Sequence, residues 1–212
     1  MSMLELPEPS RVESAAGQQD RQAELRKTEN IPARYRNHPR FEELTNDPAH
    51  HGDKPGKVLR EAMSALEAEM SGKIKAPISR GDTSWIDFYD GEGYPFDVKT
   101  PLSPTAGDKW EFNAYGVADT ILDQLHKTHP NKFTQEKQPV AVLLDTTYMK
   151  PEDLLALRHE LRKKTKENRS ILKRVFEVNV QLDPPTLDNE KPKANKLSVQ
   201  QQALLLRQRN GR

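Results

Sequence analysis

Apolar and polar positions follow three rhythms along the chain. Residues 57–72, KVLREAMSALEAEMSG, set Val58, Leu59, Ala62, Met63, Leu66 and Met70 on one face at helical spacing, with Gly72 as a stop signal. SWIDFY (84–89) and YPFDVKT (94–100) predict a hairpin around Asp90-Gly91-Glu92-Gly93. Pro95 cannot donate a ladder hydrogen bond, so that end of the second strand belongs at a margin. FNAYGVADTILDQLHK (112–127) predicts a second helix, and the apolar run in PVAVLLDTT (139–147) a central strand covered on both faces. PEDLLALRHELRKKTKEN (151–168) opens on proline, with acids in its first turn and bases in its last, as the helix dipole favours. LKRVFEVNVQL (172–182) alternates, with Leu172, Phe176, Val178, Val180 and Leu182 on one side of a half-buried strand.

The resulting order, αββαβαβ, predicts an α/β domain over residues 57–182, with a mixed sheet flanked by helices. Residues 1–56 are polar, hold six of the 16 prolines and show only fragments of helical period near residues 15–27. They are predicted to be largely disordered, with AHHGDKPG (49–56) as the boundary. Residues 183–196 read as a polar linker, and LSVQQQALLLRQR (197–209) as a docking helix or a frayed tail.

Composition agrees with one domain and polar tails: of 212 residues, 34% are hydrophobic and 31% charged. The 33 basic and 32 acidic residues nearly cancel, so any contact with nucleic acid must rest on a local site rather than on an overall field. The chain has no cysteine, which excludes a disulfide scaffold, a thiol nucleophile and Cys-ligated zinc. No signal peptide opens it and no apolar run approaches a membrane span. A soluble protein acting in the cytoplasm is expected, with no membrane partner, although delivery by another machine would leave no such mark.

The chemistry concentrates in WIDFYDGEGYPFDVKTP (85–101). Asp97 and Lys99 stand two apart in a strand, so their side chains leave one face about 6–7 Å apart. Asp87 lies opposite Asp97 only if the hairpin loop has an odd number of residues; a loop over residues 90–94 meets that condition and also puts Pro95 at the first strand position. Two carboxylates side by side repel unless a cation sits between them. Magnesium suits the position, with manganese as the alternative, because it takes a few carboxylate oxygens and keeps waters for chemistry. Lys99 is placed to orient or deprotonate an attacking water and to steady negative charge on a phosphate. A further acid is sought on the first helix. Glu69 falls within its apolar arc and is the first choice, Glu61 at the margin is the reserve, and Glu67 points away. Asp82 reads as a turn residue, Asp145 as a strand-end cap, Trp85 as core, His50-His51 as a solvated boundary, and the bases of 158–166 as a solvated helix face.

Asp87, the turn, and then Asp97-Val98-Lys99 resemble the signature of the PD-(D/E)xK nuclease superfamily. IDFYDGEGYPFDVKTP is similar to the toxin nuclease domains at the C-termini of bacterial polymorphic and contact-dependent inhibition toxins, with Phe96 where those usually carry Trp. VAVLLDTTYMKPEDLLALRHELR resembles the strand and helix that follow in them. The resemblance spans roughly residues 57–180. It implies a restriction-endonuclease-like core and metal-dependent cleavage of tRNA or DNA. It further implies Asp87 and Asp97 as metal ligands, Lys99 as the catalytic lysine and, for a toxin, a cognate immunity protein as partner. A small-molecule substrate is not expected. The competing reading is a non-catalytic module that binds nucleic acid or protein on the same fold.

Overall fold

In the computed structural model, residues 31–46 and 56–182 are described. Helix α3 (Gly56–Met70) occupies their centre: of its 15 residues, ten are buried, including the polar Glu61, Ser64 and Glu67. A helix enclosed so nearly all round needs cover on more than one side. The sheet supplies one cover, and two short helices before it, α1 (Ala33–Arg36) and α2 (Phe41–Thr45), supply the other. They bury Tyr35, Phe41 and Leu44. The Tyr35 hydroxyl donates to Glu67 Oε2 at 2.7 Å and accepts from Gln181 N at 2.8 Å, fastening both ends of the folded unit to α3. The folded unit thus reaches back before Lys57 to residues 31–46. Few apolar residues in a polar, proline-bearing stretch suffice here because α3 provides their partner. The segments at 15–27 and 197–209, and His50-His51, lie outside the described residues.

The main sheet has five strands in the order β1-β2-β3-β6-β7. Strands β1 (Ser79–Thr83), β2 (Ile86–Tyr89) and β3 (Pro95–Lys99) run antiparallel in turn, and β6 (Ala141–Asp145) and β7 (Val175–Val178) run parallel to β3. Every residue of β6 is buried, as its unbroken apolar run requires. Helices α4 (Ala114–Leu125) and α5 (Pro151–Lys164) close one core around Val142 and Leu144, through Ile121, Leu125, Leu157 and Leu161. The mixed α/β sandwich is the expected one. Three strands are new: β1, whose SRGDT has no apolar alternation, and β4 (Thr128–Pro130) and β5 (Lys137–Pro139), a two-stranded sheet that its prolines and short length conceal. The strand expected over 172–182 is shorter: residues 172–174 belong to a 3-10 helix (Arg169–Arg174), and β7 follows it. Among the described residues, no helix is long and apolar enough to cross a membrane.

The β2–β3 loop is held from three directions. Inside it, the Asp90 carboxylate accepts from Glu92 N and Tyr94 N, both at 2.9 Å, while Asp90 N donates to Tyr94 O at 3.1 Å. From below, Gly91 N donates to Lys75 O at 2.7 Å, and a Cβ at Gly91 would meet Ala76 O at 2.2 Å. From the β4–β5 turn, Asn131 Nδ2 donates to Glu92 O at 2.9 Å, beside Gly93 with its left-handed φ of 78°. These contacts fix the loop at residues 90–94. Asp90→Ala leaves two loop N–H groups without their acceptor and is expected to cost about 1–3 kcal/mol, read as a lower urea midpoint at unchanged slope.

Candidate functional site

The register of the β2–β3 pair puts Phe88 opposite Phe96 and Tyr89 opposite Pro95, and its continuation sets Asp87 opposite Asp97. The loop therefore has the odd count that brings the two carboxylates to one face. The backbone ladder stops at the Phe88/Phe96 rung. Beyond it, Asp87 Oδ2 accepts Val98 N–H at 2.6 Å, a side chain serving where another rung would offer a carbonyl. Asp97 is 5% exposed. Its carboxylate is straddled by Lys99 Nζ, 3.0 Å from Oδ1 and 2.7 Å from Oδ2, although Oδ2 receives no well-directed hydrogen bond. Asp87, Asp97 and Lys99 are thus brought together as the strand pattern predicts.

The helix acid is placed differently. Glu69, favoured from the wheel, is engaged elsewhere: its Oε1 accepts Ile78 N at 3.1 Å and its Oε2 faces His38 Nε2 at 4.0 Å. Glu61, the reserve, is the acid whose charge acts on Asp87, and it lies 3% exposed in α3. The wheel misplaced Glu69 because it allowed one apolar face; with α1 and α2 covering the other side, burial no longer marks the face turned to the sheet. Lys57, unassigned from sequence, pairs with Glu61 Oε1 at 3.0 Å. Arg80 of β1 also acts on both Glu61 and Asp87. The one sequence signal for Lys57 was its position, a base in the first turn of a helix with an acid one turn on.

The electrostatics show the strain of gathering these acids. Burial, followed by the charge of Asp87, pushes Glu61 up to about 7 against the pull of Lys57. Burial pushes Asp97 up to about 6; Lys99 opposes this and Asp87 adds to it. Asp87 is raised by burial despite the Val98 N–H and the cations around it. Lys57 holds its proton to higher pH than an ordinary lysine: burial works against its charge, but Glu61, Asp87 and Asp97 outweigh that effect. Burial is the largest cause at all three carboxyls, as it is at the loop acid Asp90 and the strand-end acid Asp145; what sets the three apart is that their charges and those of Lys57 and Lys99 act on one another.

The other candidates have local partners. Asp82 belongs to β1, where Tyr89 Oη donates to it at 2.6 Å and His129 approaches at 3.5 Å. β6 lies parallel beside β3, so Asp145 reaches the same end of the sheet, but alternation turns it from the face of Asp97 and Lys99. It is 1% exposed and caps Thr147 N at 2.9 Å. On α5, Arg158 pairs with Glu177, Lys163 with Glu160 and Lys164 with Asp119, which ties down much of the basic face. Trp85 packs against Ile86, Tyr89 and Val140, whereas Trp110 is 45% exposed.

Among the described residues, no three His, Asp or Glu side chains stand ready as they are to hold a metal ion. Each carboxylate of the cluster is already engaged, Asp97 by Lys99, Glu61 by Lys57 and Asp87 by Val98 N–H. The donor set nevertheless suits a hard divalent cation. It is all oxygen, and Asp97 Oδ2 and Glu61 Oε1 are buried without a directed hydrogen bond. No protein-family model, curated protein or solved structure matches the chain.

Proposed function

We propose that this chain is a metal-dependent endonuclease, cleaving phosphodiester bonds in tRNA or DNA with a site of the PD-(D/E)xK kind. One observation carries the reading: the β2–β3 register opposes Asp87 to Asp97, Lys99 follows two residues on, and α3 brings Glu61 to the same cluster. The helix ahead of the antiparallel strands, and the parallel β6 and β7 beyond β3, support a restriction-endonuclease-like core.

Asp87, Asp97 and Glu61 would hold magnesium, or manganese in its place, which when bound supplies Lewis-acid polarisation of a phosphate oxygen. Glu61 takes the part expected of Glu69. The chain's own groups do the rest. Lys99, anchored on Asp97, orients the attacking water and offers an ammonium to the charge that grows on the phosphate. Val98 N–H fixes Asp87, so both aspartates stay on their strands rather than adapting one by one. The same reading makes the chain a candidate toxin effector whose cognate immunity protein would cover this site.

Purified protein is expected to nick or degrade tRNA, plasmid or single-stranded DNA with magnesium or manganese and to stop on adding EDTA. Binding without divalent-dependent cleavage would instead support a non-catalytic nucleic-acid module.

A further inference from the structure

Lys57 sits where helix electrostatics do not favour it. The N-terminal turn of a helix prefers acids, and the first turn of α3 holds none. The Lys57–Glu61 pair also runs in the weaker of the two orders, base before acid. Local helix stability therefore does not account for this lysine, and its surroundings do. Its ammonium lies 3.0 Å from Glu61 Oε1, and the charges of Asp87 and Asp97 bear on it as well. The two partners differ in freedom: the Lys57 side chain is 68% exposed and that of Glu61 only 4%. The lysine can leave by a change of rotamer, whereas the carboxylate is held by packing.

We infer that Lys57 is the internal counter-ion of the acid cluster, occupying a cation's place beside Glu61 and giving it up to a divalent cation. This rests on the metal-site reading above. In the metal-free chain the ammonium keeps three crowded carboxylates tolerable, so the cluster can be built before any metal arrives. The consequence is competition: the charge that helps the empty site to form also weakens its affinity for metal. Lys57 is thus a positioning residue, distinct from Lys99, whose stem issues from β3 itself.

The test uses the full chain and manganese alone. Lys57→Met keeps the aliphatic stem and removes the charge, and Lys57→Arg keeps a charge. Isothermal titration is expected to show Lys57→Met binding manganese about three- to tenfold more tightly than wild type, from loss of a largely exposed cation. Its metal-free melting temperature should be slightly lower, with a larger rise on saturation with manganese. Lys57→Arg should return to wild-type values. A merely structural lysine would lower the melting temperature without tightening the metal. Unchanged or weaker manganese affinity in Lys57→Met, beside a wild type that binds, overturns the counter-ion role and leaves the metal site standing. A wild type that binds no manganese overturns both.

Discussion

Asp97→Asn should melt above the wild type at neutral pH in the absence of divalent cations, and should lose cleavage by about a hundredfold or more. The stability gain follows from the carboxyl being pushed up to about 6. An acid whose folded pKa lies above its unfolded value, near 4, binds more protons in the native state across that interval. Stability therefore falls as pH rises from about 4 to about 6, and stays lower above. Asparagine mimics the neutral form and removes the penalty. The elevation, already net of the attraction to Lys99, corresponds to about 3 kcal/mol at most, and a gain of about 1–3 kcal/mol is expected. Melts at pH 5 and pH 7.5 check the sign: the variant's advantage should appear at the higher pH and shrink at the lower. Magnesium should raise the melting temperature of the wild type but not of the variant. A variant that is less stable at both pH values would mean that Asp97 is simply a satisfied structural acid.

Phe96→Ala should be the most damaging single change near the site, costing about 3–5 kcal/mol. Phe96 is 2% exposed and lies between Asp97 and the loop. Its ring stacks on Phe88 at 4.8 Å with planes 10° apart, and it meets Phe176 of β7 at 5.5 Å and Tyr94 at 5.9 Å. One side chain therefore joins β2, β3, β7 and the loop on the sheet face opposite Asp97. Its removal leaves a cavity that three aromatic neighbours cannot close without moving the strands. Urea unfolding measures the loss. Cleavage per folded molecule should fall as well, because the two carboxylates lose their spacing; unchanged activity at equal folded fraction would show that the register does not depend on this ring.

The hairpin was legible because its information is local. A proline at the start of β3, a glycine-bearing turn and the two-residue period of Asp97 and Lys99 point to a loop over residues 90–94; its parity, which decides which acids meet, stays conditional until the contacts from Lys75 and Asn131 are seen. The helix acid was not legible, because its answer depends on residues 31–46. Nothing in α3 announces that Tyr35 and Leu44 cover its second side, and without them Glu67 looks solvated and Glu69 looks turned inward. In the structure, Tyr35 and Arg34 take Glu67, Ile78 N takes Glu69, and Glu61 is left for the aspartates. Strands β1, β4 and β5 escaped for a related reason: their pairing is set by neighbours and backbone, with Gly81 so close to Ile86 that a Cβ would meet its carbonyl oxygen at 1.8 Å.

The proposed role of Lys99 is to act on a phosphodiester at a carboxylate-held metal site. The most direct measurement compares rates of nucleic-acid cleavage by wild type and Lys99→Ala in saturating magnesium, with melting curves to confirm that both are folded. The predicted result is divalent-dependent cleavage by the wild type, reduced about 10²–10⁴-fold in the variant. Equal cleavage by folded Lys99→Ala would contradict the account.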